Sequence, residues 1–332
     1  MRRMLAIEIY RWPISDCNGV APKTVRLRGQ SIIEYVLIAA IISLVVVFAG
    51  PQVSGAIRNQ FNQVTNAVNS GASGDNFMSA EEKTYREAMK TVVNKDAKDW
   101  TLDEQKAAAT DIAKNGTSSV VYAKAKAAMD AGTKFSTKLT NGKTLEYRII
   151  GINHDDLADG SGKAGLTFLT TSTAISSRMN ATHTNVGGWE QSELRKKMNS
   201  GEIWNLMPSD FQSRVKAVKK LTNNVGGNDK NAAVTATADK LFLLSYSEIV
   251  PTSYWASSYP WTSSEGAQYE AFRDKVTNNC SGNESLKNGY SWWERSVCPL
   301  ASSSFLDVND RGDPSLNTPA MYSRIVCLAW CF

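Results

Sequence analysis

The sequence predicts an α+β protein in three successive parts: a long N-terminal helix, a small set of helices, and a mixed α+β C-terminal region. Three observations carry this. Ile32 to Gly50 is a 19-residue stretch in which Val36 to Ala49 contains only Ser43 as a polar residue. Ser79-Ala80-Glu81-Glu82 and Thr101-Leu102-Asp103-Glu104 each place an acid three residues after a capping hydroxyl and open Ala/Lys/Glu-rich segments. Past Lys134 the texture changes to short alternating runs, and seven of the nine tryptophans stand from Trp189 onward, ample aromatic area for a core.

The chain of 332 residues has 37 basic and 32 acidic side chains, a net charge of +5. Residues 1–29 hold six of the bases (Arg2, Arg3, Arg11, Lys23, Arg26, Arg28) against Glu8 and Asp16, leaving 31 bases and 30 acids beyond them. The positive charge therefore belongs to a leader, and the body has no electrostatic basis for binding nucleic acid. Two histidines, His154 and His183, and no zinc-type cysteine spacing argue against most hydrolase and metalloenzyme readings. No cofactor or metal site is expected.

The apolar run from Ile32 is close to the ~20 residues that cross a bilayer core as a helix. It is longer than a secretory signal and lacks a small-residue cleavage site behind it. Ile57, Phe61 and Val64 recur at helical spacing, extending an amphipathic helix beyond Gly50-Pro51. Arginines ahead of the run keep the N-terminus inside and send residues beyond 50 outward. Glu34 sits in this apolar helix, where a carboxylate is costly unless paired or held at the interface.

The segment Arg26-Leu27-Arg28-Gly29-Gln30-Ser31-Ile32-Ile33-Glu34-Tyr35, with the apolar run behind it, resembles type IV prepilins of the tight-adherence (Flp-type) branch over about 26–68. The resemblance implies a leader 1–29 removed by a prepilin peptidase after Gly29, and an assembly helix 30–68 beginning at Gln30. Glu34 is then the fifth residue of the mature chain and pairs with the α-amino group of a neighbouring pilin subunit. Gln30 departs from the phenylalanine or methionine found there in many type IV pilins.

Asn69-Ser70-Gly71-Ala72-Ser73-Gly74-Asp75 lies in a linker, 69–78. The capping boxes then predict two or three helices over 79–133, stopped at Gly116 and Gly132, as a solvated spacer. From 134 to 332 the expected elements alternate. Leu139–Lys143 is a turn, Leu145–Gly151 and Leu166–Thr171 are strands, and Trp189–Met198 is a short helix. Val215, Val218 and Leu221 suggest another helix before a Gly/Asn-rich loop (223–231), and Leu241–Ser245 reads as a central strand.

Four motifs, Gly187–Arg195, Asp239–Glu248, Ser291–Ser296 and Phe305–Gly312, with Ile149–Asp155 upstream, resemble in their order a bacterial C-type-lectin-like family of unassigned activity. The family's usual Gly-Val-Arg-Pro ending is here Ser323-Arg324-Ile325-Val326-Cys327. The resemblance implies a C-type-lectin fold related to formylglycine-generating enzyme, to adhesins, and to the variable ligand-display proteins of diversity-generating retroelements. It points to a ligand surface near the C-terminus. The candidates are Trp292, Trp293 and Arg295; Phe305, Asp307, Asn309, Asp310 and Arg311; and Asn317, Tyr322 and Arg324. Of the adjacent Trp292 and Trp293, one is expected to face the core.

Cys17 leaves with the leader, so four cysteines remain: Cys280, Cys298, Cys327 and Cys331. An even number in an outward-facing region suits an oxidising compartment. If 325–331 is one strand, Cys327 and Cys331 are ~13 Å apart and cannot join. Each is then expected to pair with Cys280 or Cys298.

Arg311-Gly312-Asp313 is a cheap three-residue match to an integrin motif. Asp307–Gly312 begins like a calcium loop, but Arg311 takes a ligand position and Thr318 stands where a bidentate Glu belongs. His154, Asp155, Asp156 and Asp159 read as a strand end and polar turn rather than a metal set, and Gly142-Lys143-Thr144 as a hairpin turn. The expected function is therefore ligand binding or adhesion by a non-enzymatic protein, anchored in the membrane through 32–50 and presented at the bacterial surface with other pilins. An enzyme on the formylglycine-generating scaffold is the alternative, to be recognised by free reactive thiols.

Overall fold

The computed structural model describes residues 79–251, 254–276 and 282–332. Gly29, Gln30, Glu34, the 32–50 run and Cys280 lie outside them. Among the described residues no helix is long and apolar enough to cross a membrane.

Three helices open the described region. Helix α1 (Ala80–Val92) starts where Ser79 accepts a hydrogen bond from the Glu82 amide, and α2 (Leu102–Asn115) where Thr101 and Glu104 form the reciprocal capping box. Gly116 ends α2 at φ 57° and Gly132 follows α3 (Tyr122–Asp130) at φ 65°, the left-handed region that glycine enters without penalty.

Helices α1–α3 do not stand apart as a spacer. Ala108, Ala109 and Ile112 of α2 and Ala125 and Met129 of α3 belong to the same apolar core as the strands behind them. Alanines on the inner faces let backbones approach closely. A Cβ on Gly165 would lie 1.9 Å from the Ala109 carbonyl oxygen, so only glycine fits beneath α2. Gln105 Nε2 donates to the Trp100 carbonyl, and its Oε1 accepts from the Tyr147 hydroxyl at 3.1 Å, tying helix to sheet.

The first sheet has the order β1-β2-β3-β12-β7, from β1 (Lys134–Lys138), β2 (Thr144–Ile152), β3 (Leu166–Thr170), β12 (Ala329–Cys331) and β7 (Leu241–Phe242). The second has the order β10-β9-β8-β11-β4, from β10 (Leu316–Pro319), β9 (Ser304–Val308), β8 (Trp292–Val297), β11 (Ser323–Ile325) and β4 (Ser176–Arg178). A hairpin of β5 (Val218–Asn223) and β6 (Val234–Asp239) stands beside them, and the short α4 (Gly188–Gln191), α5 (Glu193–Asn199), α6 (Ser209–Gln212) and α7 (Tyr246–Ile249) fill the crossings. An aromatic cluster of Tyr147, Phe168, Phe211, Trp330 and Phe332, with centroids 4.9 to 5.9 Å apart, packs under the first sheet.

The C-terminal region is thus mixed α+β, as expected, but several elements differ. The segment around Val218 and Leu221 is a strand, because its alternating residues pair with β6 from Val218↔Asp239 to Asn223↔Val234. The apolar run at Leu241 is not central; β7 lies at the end of its sheet, and Leu243 and Leu244 are buried as connection. The single helix expected over 189–198 breaks at Ser192, whose extended backbone (φ −62°, ψ 143°) caps α5. Residues 325–331 are not one strand: the chain leaves β11 in the second sheet and enters β12 in the first.

Candidate functional site

The proposed ligand surface is divided by the fold. Strands β8 and β9 are buried along their whole length, so Trp292, Trp293, Arg295, Phe305 and Asp307 are interior residues. The physical reason is that β8 lies between β9 and β11 with both of its faces covered, so the alternation that exposes one tryptophan never applies. Trp292 donates Nε1–H to the Leu286 carbonyl at 3.0 Å and Trp293 to that of Ser177 at 2.9 Å. Asp310, Arg311, Asn317 and Tyr322 are exposed, and Asn309 and Arg324 half-buried. Asn317 lies on the edge strand β10, Asn309, Asp310, Arg311 and Tyr322 in the turns on either side of it and Arg324 on β11, with Leu316 and Met321 also exposed and Tyr322 edge-on to His183 at 6.2 Å. Asn309 organises the first turn by accepting from the Arg311 and Asp313 amides, both at 2.9 Å.

A buried charge network lies in the interior. Between Trp293 and Val297 the register of β8 with β9 shifts, and this irregularity leaves Glu294, Arg295 and Ser296 turned into the protein. Arg295 Nη1 contacts Glu248 Oε2 at 2.5 Å and also donates to the Leu243 carbonyl. Its Nη2 donates to the carbonyls of Leu221 and Glu265, and its Nε to Thr222 Oγ1. Lys220 joins Glu248 Oε1 at 2.5 Å and Asp155 Oδ1 at 2.6 Å, and donates to the Tyr269 hydroxyl oxygen at 3.0 Å. Tyr269 in turn donates to Asp155, and Thr167 donates to Asp155 Oδ2 at 2.6 Å.

Charge balance follows from these contacts. Burial penalises the carboxylates of Asp155 and Glu248, but Lys220 and Arg295 more than offset it and hold both below the usual carboxylate range. Glu265 accepts from the Asn223 amide and from Ser296 but has no cation of its own; burial pushes it up to about 7. Two cations thus face two firm anions and one carboxyl that holds its proton near neutrality. A cleft of about 470 Å³ opens beside the network, with His154 at its edge stacked on Tyr269 at 4.1 Å and 3.2 Å from Glu270. Asp156 pairs with Lys163, and Asp159 caps Ser161, so the acids of this turn diverge. Among the described residues no group of three His, Cys, Asp or Glu side chains could hold a metal ion.

Glu294 is the exception to the pairing. Both its carboxylate oxygens are buried without a hydrogen-bond partner, and burial with the nearby Asp307 raises it well above the carboxylate range. Asp307, facing Arg324 Nε at 3.3 Å, is itself raised by burial.

The cysteines differ from expectation. Cys298, Cys327 and Cys331 are buried and unbridged, so the pairing of Cys298 with Cys327 or Cys331 does not form. They are placed apart: Cys298 follows β8, Cys327 accepts from Asn288 Nδ2, and Cys331 in β12 lies 3.3 Å from Thr167 Oγ1. Burial pushes the Cys327 thiol up to about 12 and Cys331 well above its usual value.

Sequence reasoning missed Lys220, Glu248, Glu265 and Tyr269. The available signal was a charge inside an apolar context, as in Val218-Lys219-Lys220-Leu221 and Tyr246-Ser247-Glu248-Ile249.

Two families match parts of the chain. Residues 28–68 match the Flp/Fap pilin component family, and residues 164–324 match a domain of unknown function (DUF6273). The first supports a pilus-related protein; the second has no assigned function, and its match takes in nearly all of the second sheet but only β3 and β7 of the first. No curated protein and no solved structure matches the chain.

Proposed function

We propose that this protein is a pilus-associated surface subunit whose pilin-type N-terminal segment carries the folded 79–332 region outward as a binding head. The observation that carries the reading is the position of the pilin match, at residues 28–68, ahead of a folded region far larger than an assembly helix needs. A prepilin peptidase cuts behind Gly29, Gln30 becomes the N-terminus, and Glu34 pairs with the terminal amine of an adjacent pilin subunit in the bundle. The apolar run 32–50 holds the chain in the membrane before assembly.

The head binds a surface ligand through the face flanking β10, in an adhesion role of the C-type-lectin kind. Arg311 and Tyr322 support this, since Arg and Tyr anchor interfaces through pockets and planar contacts. N-terminal sequencing of protein recovered from intact cells tests the reading. A chain beginning at Gln30, exposed to external protease and lost from sheared filaments in a Glu34→Ala variant, is the expected result. An intact leader on a chain shielded from protease overturns it.

A further inference from the structure

A second recess lies at the far end of the first sheet. It encloses about 340 Å³ beside Arg148, on β2, and opens between the start of β1 and the 284–288 turn. Arg148 reaches it from β2, where the residues on either side of it, Tyr147 and Ile149, are buried in the core. Nη2 donates to the Ser285 carbonyl at 2.8 Å, and the guanidinium lies 5.6 Å over the Phe272 ring, which fixes its plane. Burial works against its charge, yet no carboxylate among the described residues pairs with it; the ionisable side chain that acts on it is the Cys327 thiol, which burial itself keeps protonated. The rim lysines are different, since Lys134 pairs with Glu146 and Lys287 with Glu284.

A guanidinium cannot shed its proton, so a largely enclosed one calls for an anion. The wall around it holds uncommitted groups. Thr171 Oγ1 and Ser285 Oγ have no hydrogen-bond partner, so a ligand recruits them by hydroxyl rotation without breaking an existing bond, and Arg148 Nε is likewise unpartnered while Nη2 keeps its bond to the Ser285 carbonyl. Trp292 and Leu286 supply apolar walls. The volume is at the small end of the roughly 300–1,000 Å³ of ligand sites.

We infer that this recess binds an oxyanion carried on a sugar-sized ligand, a carboxylate or phosphate seated on Arg148 with its ring against the apolar wall. The inference deepens the binding-head reading by naming the chemistry of a ligand, and it requires neither leader cleavage nor filament assembly.

The test is titration calorimetry of the full-length chain in detergent with glucuronate, glucose 6-phosphate and glucose. Glucuronate or glucose 6-phosphate is expected to bind at least about tenfold more tightly than glucose, as a charge-assisted contact predicts. The preference between the two acids tells carboxylate from phosphate. Arg148→Gln is expected to remove that advantage with the near-ultraviolet circular dichroism intact. If that variant does not fold, Lys287→Glu at the exposed rim is expected to weaken binding at least about threefold by reversing a charge. Equal binding of glucose, no binding of either acid by folded protein, or unchanged affinity in the folded variants overturns the inference. An unprocessed chain that still binds glucuronate through Arg148 sinks the display reading and leaves the pocket standing.

Discussion

Arg295 and Glu248 meet at 2.5 Å with both side chains sealed from solvent, and this contact locks β8 to the segment that follows β7. Neither residue can lose the other cheaply. Arg295→Leu leaves Glu248 with Lys220 alone and strips donors from the carbonyls of Leu221, Leu243 and Glu265. The expected cost is about 3–5 kcal/mol, read as a lower urea midpoint. A change below about 1 kcal/mol refutes a structural role for the network.

Stability is expected to be greatest in mild acid, near pH 5. Glu265, raised by burial from 4.5 to about 7, holds its proton more tightly when folded. Stability therefore falls as pH rises from about 4.5 to about 7, by about 3 kcal/mol. His154 acts in the same direction: burial opposes its charge, but Glu270 and Asp155 raise it overall, so its contribution is lost as pH rises through its folded value. Asp155 and Glu248 act oppositely, supplying stability above the ordinary carboxylate range that is lost in strong acid. Thermal unfolding across pH 4 to 8 measures this, and Glu265→Gln is expected to flatten the fall above pH 5.

Replacing Glu294 should stabilise the protein. Its side chain, with the carboxyl unpartnered in a fully buried site, is close in length to that of methionine. Glu294→Met is expected to gain about 1–3 kcal/mol, more at pH 8 than at pH 5, because the cost of deprotonation disappears. A lower melting temperature at pH 8 would show that the carboxyl holds a partner.

Gly165→Ala is expected to cost about 1–3 kcal/mol, since its Cβ would strike the Ala109 carbonyl and push α2 off the sheet. Gly160→Ala, whose Cβ meets nothing within 4 Å, suffers only backbone strain at φ 74° and serves as the comparison. Equal losses in the two variants would mean that α2 is free to shift.

Much of this protein is written in local chemistry. The capping residues Ser79 and Thr101 and the stops at Gly116 and Gly132 located the helices, because a cap satisfies its own backbone groups within a few residues. The β1–β2 hairpin, the strand at Leu166, and the pilin-type segment with its Glu34 are local in the same sense. Burial was not legible. Trp292, Trp293, Phe305 and Asp307 have the composition of a binding face, and only the placement of β8 and β9 among covering elements turned them inward. The pairing of Lys220 with Asp155 and Glu248 joins residues 65 and 28 positions apart, and the strand at Val218 exists because β6 returns beside it. Such contacts depend on which segments the chain brings together, and a sequence pattern reports only the preferences of each segment by itself.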